Sequence, residues 1–232
     1  NGTTFTDQSA AIKGSGSAKV ITRTGNTKTV TTTSNYYGSS GYFDGSGDYL
    51  SVSNSSDFDF ESNDFTVECW VRLNSISGDQ YIINWAGESG NPFHQGINIY
   101  NGNWRIGGFN NYLIGGSTGL VANKWFHIAM VRKGGQLSAF VDGIVIGSVS
   151  ASATFNCDSP IIIGGHYTPS LYLNGYIQDL RIYKGVAKYQ PEGSGSLAMD
   201  VVTYTGTGST QSIGGLAFQP DFIWCKTTSN AV

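Results

Sequence analysis

Apolar and polar residues alternate one for one along Phe65-Thr-Val-Glu-Cys-Trp-Val-Arg-Leu73. A period of two places Phe65, Val67, Cys69, Val71 and Leu73 on one face and Thr66, Glu68, Trp70 and Arg72 on the other. The segment therefore predicts a strand with a core face and a polar face that carries one large aromatic. Similar patterns predict strands over 80–85, 96–100, 103–107, 125–132, 137–142, 144–149, 159–164 and 173–183. Asn101-Gly102 supplies a type I′ hairpin signal, Lys133-Gly-Gly-Gln136 links the next pair, and Asp142-Gly143 turns the chain into a three-stranded meander. The Thr-, Ser- and Gly-rich first 40 residues read as short strands over 18–23 and 27–33, because Thr and Val favour extended backbone. Glycine and β-branched residues interrupt every 3.6-residue pattern, so the fold class is all-β.

Composition agrees. The 232 residues include 32 Gly and only 5 Pro, 13% are aromatic and 12% are charged, which suits many strands joined by tight turns. A formal charge of −3 gives no means of neutralising phosphates, so nucleic acid is excluded as an expected partner. The sequence holds no apolar run of about 18 residues, and membrane insertion is not expected. It does not begin with Met and reads as a piece of something longer. Cys69, Cys157 and Cys225 lie too far apart for a metal or redox dithiol. Cys69 falls on the core face of its strand and reads as a buried thiol, with a Cys69–Cys157 disulfide as the alternative. Residues 1–190 form the main domain and 191–199, with Pro191-Glu-Gly-Ser-Gly-Ser196, a linker. The stretch 200–232 is a β-rich tail or the start of a second domain, too short for an ordinary core of its own.

Two carboxylates sit in the glycine-rich turn of Tyr42-Phe-Asp-Gly-Ser-Gly-Asp-Tyr-Leu50. This segment, the 65–71 strand, Trp125-Phe-His-Ile-Ala-Met-Val-Arg132 with Phe140-Val-Asp-Gly143, and Leu173-Asn-Gly-Tyr-Ile-Gln-Asp-Leu-Arg-Ile-Tyr183 follow one another as in laminin-G-like, concanavalin-like domains. The resemblance covers about residues 3–190. It implies a two-sheet antiparallel jelly-roll sandwich with a short β-rich C-terminal extension, a carbohydrate or protein ligand, and a structural Ca²⁺. Asp44 and Asp179 would be its acidic ligands and Asp48 would add oxygens, a donor type that suits calcium. The alternative is that Asp44 and Asp48 cap turns while Asp179 pairs with an arginine. The tail segments Val201-Val-Thr-Tyr-Thr-Gly206 and Phe218-Gln-Pro-Asp-Phe-Ile-Trp-Cys-Lys226 resemble stretches found beside such domains in marine bacteriophage tail-fibre and structural proteins.

No catalytic residue emerges. Glu61, Asp64 and Glu68 lack the tight spacing of paired glycosidase carboxylates and read as a solvated polar face. His94, His127 and His166 show no zinc spacing. Aromatic rings mixed with amides over 84–115 are suited to stacking on sugars. Phe93, His94, Tyr112 and Tyr167 are the loop candidates, joined by Trp104, whose other reading is core packing. The leading expectation is a non-enzymatic module that adheres to a glycan or cell-surface polysaccharide, placed extracellularly or on a cell or virion surface. A structural subunit, whose tail pairs with copies of itself or with other fibre subunits, is the second reading. A polysaccharide-active enzyme is the third.

Overall fold

The computed structural model describes residues 2–14, 16–85, 96–108, 111–117, 119–151, 154–157, 159–166 and 171–191. Among them the strands are β1 Ile21–Thr24, β2 Lys28–Val30, β3 Ser40–Asp44, β4 Tyr49–Val52, β5 Phe65–Leu73, β6 Asp79–Asn84 and β7 Gly96–Tyr100. They continue as β8 Asn103–Gly108, β9 Asn111–Ser117, β10 Trp125–Lys133, β11 Gln136–Val141, β12 Ile144–Ser150, β13 Ile161–Ile163 and β14 Asn174–Lys184. A five-residue helix, Ser9–Lys13, and a 3₁₀ turn, Ser56–Phe58, are the helical pieces among the described residues. None is long and apolar enough to cross a membrane.

The strands form two antiparallel sheets of 7, a jelly-roll sandwich. One, the β6 sheet, runs β1-β4-β13-β6-β7-β8-β9; the other, the β5 sheet, runs β12-β11-β10-β5-β14-β3-β2. The core lies between them. From β5 it takes Phe65, Val67, Cys69, Val71 and Leu73, each at most 1% exposed, as alternation requires. From the facing sheet it takes Leu50, Ile83, Ile97, Ile99, Trp104 and Ile163. Each such side chain contributes about 1.5–3 kcal/mol by leaving water. Cys69 and Cys157 are both buried, Cys157 Sγ donates to Ser159 O at 3.0 Å, and burial pushes the Cys69 thiol far above its ordinary pKa.

Two turns work as the sequence implies. Asn101 and Gly102 both take positive φ, 46° and 77°, and join β7 to β8; Asp142 and Gly143, at 49° and 81°, join β11 to β12. The chain divides into compact units at 1–189 and 190–232, and the sandwich is the first.

Candidate functional site

The outer face of the β5 sheet is built by register. Lys28 on β2 lies opposite Tyr42 on β3, Tyr42 opposite Tyr176 on β14, Tyr176 opposite Arg72 on β5, and Arg72 opposite Trp125 on β10. All five are half-buried, so one row of rings and cations crosses five strands. At about 4.8 Å per strand the row is roughly 19 Å long. The Tyr42 and Tyr176 rings stand 5.1 Å apart, and Trp125 lies 6.4 Å from Tyr176. Lys28 Nζ sits 5.4 Å above Tyr42 and the Arg72 guanidinium 5.3 Å above Tyr176.

Polar rows flank it. On one side Asp44 pairs with Asn174, and Asn74 Nδ2 donates to Asn174 Oδ1 at 3.0 Å. On the other side Gln178, Trp70 and His127 follow in register. The Gln178 side chain pins the loop before β3. Its carbonyl accepts from Asn35 N and Tyr36 N at 2.9 and 3.1 Å, and its amide donates to Ser39 O at 2.6 Å. Tyr36 is thereby set edge-on to Trp70 at 5.2 Å while remaining 61% exposed.

Further along, the face is closed by the chain itself. Residues 185–189 fold back over it: Thr66 Oγ1 donates to Val186 O at 2.9 Å and accepts from Lys188 N at 3.0 Å. The Tyr189 hydroxyl donates to Glu68 Oε2 at 2.6 Å, and its ring meets Phe140. Ala187 packs on Ala129, Val131 and Phe140. Burial alone would raise the Glu68 pKa, but hydrogen bonds from His127 and Tyr189 outweigh it and hold the carboxyl below its ordinary range.

The outer face of the β6 sheet is built differently. Tyr81 lies opposite Asn98, and Asn98 opposite Arg105. Tyr81 and Asn98 are 0% exposed. Asn98 Nδ2 donates to Asp79 Oδ1, His166 lies against the Tyr81 ring at 4.5 Å, and Arg105 covers Tyr100 at 3.9 Å. Burial raises the Asp79 carboxyl above its ordinary pKa, more than the Asn98 hydrogen bond lowers it.

The residues expected from the sequence fall in several places. Asp44 and Asp48 come together, since Asp44 N donates to Asp48 Oδ2 at 3.0 Å. Asp48 is 0% exposed and its Oδ1 accepts from Asn26 N, so it joins the β1–β2 and β3–β4 turns. Asp44 Oδ1 caps Ser46 N at 2.8 Å. Asp179 is not with them. It lies beyond Asn174, the partner of Asp44, by five residues of β14, or about 16 Å, and pairs with Arg181 at 2.8 Å. No three His, Cys, Asp or Glu side chains among the described residues gather as a metal site. Of the three expected aspartates, the structure brings Asp44 and Asp48 together and sets Asp179 apart along β14.

Trp104 is corrected. It is 2% exposed within the core, because its place opposite Ile99 on β7 points it inward, and its ring is closed to a ligand. Phe93, His94 and Tyr167 lie outside the described residues, and of Tyr112 only the backbone, in β9, is described. The row from Lys28 to Trp125 was missed from the sequence. Its signal was the polar face of β5, with Arg72 and Trp70, but its partners lie far away in the chain.

A two-sheet jelly roll with an open, ring-lined sheet face has the architecture of the lectin-like sandwiches. The chain belongs to the concanavalin A-like lectin/glucanase superfamily, whose family model matches residues 44–189. A family described only as a domain of unknown function matches 194–232. No curated protein matches the chain.

Among solved structures, the binding domain of paraclostridial mosquitocidal protein 1 is 17% identical with a TM-score of 0.55, over 72% of this chain and 44% of that one. Domain 4 of AbnA, an extracellular arabinanase from Geobacillus stearothermophilus solved with arabinotriose, is 18% identical with a TM-score of 0.55, over 73% and 84%. The botulinum neurotoxin serotype D ligand binding domain, solved with N-acetylneuraminic acid, is 19% identical with a TM-score of 0.52, over 72% and 43%. The chain thus spans less than half of each toxin chain, and the likeness is one of fold.

Proposed function

We propose that this domain is a non-catalytic glycan-binding module and that it binds on the open outer face of the β5 sheet. One observation carries the reading: Tyr42, Tyr176 and Trp125 stand in a single half-exposed row across the strands. Sugar rings present apolar CH faces that stack on such rings, while adjacent amides and carboxylates read hydroxyls. Asp44, Asn174 and Asn74 supply that polar row. The arabinotriose and N-acetylneuraminic acid held by proteins of the same fold lend support.

A glycosidase needs two carboxylates facing one open cleft about 5–9.5 Å apart. Here Glu68 is buried under Tyr189, and Asp64 Oδ1 accepts from Gly134 N at 2.9 Å, so both are engaged in holding the fold. Such a module serves an extracellular, cell-surface or virion-surface protein. The test is a glycan array followed by calorimetry on the strongest ligand. Tyr176→Ala should weaken binding about tenfold or more, and unchanged affinity in Tyr176→Ala and Trp125→Ala would remove the face from consideration.

A further inference from the structure

We infer that the glycan taken by this face is a linear acidic oligosaccharide of several units, lying across the strands with its anionic groups on Lys28 and Arg72. The inference rests on the glycan-binding reading of the same face and adds the ligand's charge, length and direction.

Charge comes from the row itself. Lys28 and Arg72 alternate with the rings, and neither has a carboxylate within ion-pair distance among the described residues. Two other cations near this sheet are paired with carboxylates. Lys124 pairs with Asp142 at 3.8 Å and Arg181 with Asp179 at 2.8 Å. Arg72 spends one N–H on Asn74 Oδ1, at a long 3.3 Å. Its guanidinium has five N–H donors in a planar fork that matches a carboxylate or sulfate, and the Lys28 ammonium has three more. A neutral sugar gives these donors only hydroxyls, whereas an anion gives each a charge-assisted bond.

Length and direction come from the register. Lys28 and Arg72 are three strand steps apart, about 14 Å, with Tyr42 and Tyr176 between them. A single sugar ring does not span that distance, so the ligand has several units and runs perpendicular to the strands. Asp44 refines the pattern. It lies on the same face of β3 as Tyr42, two residues along, and its charge contributes to the raised pKa of the Tyr42 hydroxyl after burial and Tyr176. Asp44 offsets part of the Lys28 charge beside Tyr42, so Arg72 is the stronger of the two anion positions.

The test compares three hexasaccharides by calorimetry at low salt: a hyaluronan fragment with carboxylates, a κ-carrageenan fragment with sulfates, and uncharged chitohexaose. At least one acidic probe should bind about tenfold more tightly than chitohexaose and lose that advantage as salt is raised, because exposed charges are screened. Which one does so tells carboxylate from sulfate. Lys28→Gln and Arg72→Gln should each weaken the acidic probe about tenfold and weaken chitohexaose clearly less, with circular dichroism confirming the fold. Equal binding of charged and uncharged probes, or acidic binding unmoved by both substitutions, overturns the inference. If Tyr176→Ala still abolishes binding in that case, the glycan-binding face stands without its charge preference. If Tyr176→Ala changes nothing, the face itself is wrong and the inference falls with it.

Discussion

The two outer faces of the sandwich hold the same kinds of residue at different depths. On the β5 sheet, Lys28, Tyr42, Tyr176, Arg72 and Trp125 form a half-exposed row with two cations lacking carboxylate partners among the described residues. On the β6 sheet, Tyr81 and Asn98 are fully buried, Asn98 is tied to Asp79, and Arg105 lies on Tyr100. A buried polar group must be satisfied inside the protein or it costs stability, and the closed face meets that need only in part: Asn98 Nδ2 donates to Asp79 Oδ1, while Asn98 Oδ1 and Asp79 Oδ2 have no partner among the described residues. The open face keeps donors and ring surfaces for something else. Exposure, more than composition, separates a surface built to bind from one built to hold.

The strongest way to break this contrast is to make the same substitution on both faces. Tyr81→Ala empties a fully buried site against His166 and should cost about 3 kcal/mol in urea unfolding, in line with aromatic-to-alanine losses in cores. Glycan affinity should stay the same wherever the variant is folded. Tyr176→Ala should do the reverse, with stability changed by about 1 kcal/mol or less and binding lost. Matching stability losses in the two variants would erase the distinction.

Glycines sharpen it next. A Cβ on Gly175 would fall 2.3 Å from Arg72 O and 3.1 Å from Leu73 Cα, both backbone atoms of the neighbouring strand. Gly175→Ala must therefore spread β14 from β5, at about 1–3 kcal/mol. Because Tyr176 and Arg72 flank that contact, binding should fall along with stability. Gly115 lies on β9 in the other sheet, and a Cβ there meets nothing closer than Trp104 O at 3.8 Å. Gly115→Ala should stay within about 0.5 kcal/mol of the parent and leave binding intact. A tolerated Gly175→Ala would mean that the row does not depend on this close approach.

Much of the fold was legible because local pattern controls it. The alternation in 65–73 identified β5 to the residue, and Asn101-Gly102 and Asp142-Gly143 marked the hairpins. The surface row was not legible, because it depends on register between β3 and β14, whose paired residues Tyr42 and Tyr176 are far apart in sequence. The same holds for the aspartates: Asp44 and Asp179 lie on paired strands, and their different heights are set by register. Trp104 misled for another reason. In an aromatic-rich stretch, composition does not say which side of the strand faces the core, and the pairing with Ile99 turned it inward. Glu68 read as part of a solvated polar face, yet it is buried, and Tyr189, beyond the last strand, joined it and His127 only through the fold-back of 185–189.

The smallest predicted effect is also the one with opposite signs on the two faces. Glu68 has a lowered folded pKa, so its contribution to stability is present above the unfolded value and is lost as pH falls through the folded one. Asp79 has a raised folded pKa, because burial opposes its charge. Its contribution is present below the ordinary aspartate value and is lost as pH rises through the raised one. Thermal melts across about pH 3 to 7, the range in which carboxylates titrate, should therefore respond differently to the two amides. Glu68→Gln should flatten the acid side of the stability profile, where the parent loses the bonds from Tyr189 and His127. Asp79→Asn should remove the decline on the rising side and make the variant comparatively more stable near neutrality, since the amide still accepts from Asn98 without carrying a charge. If both substitutions move the profile in the same direction, the two carboxylates share one kind of environment. The division between a face that holds its charge by hydrogen bonds and a face that suppresses it by burial would then fail.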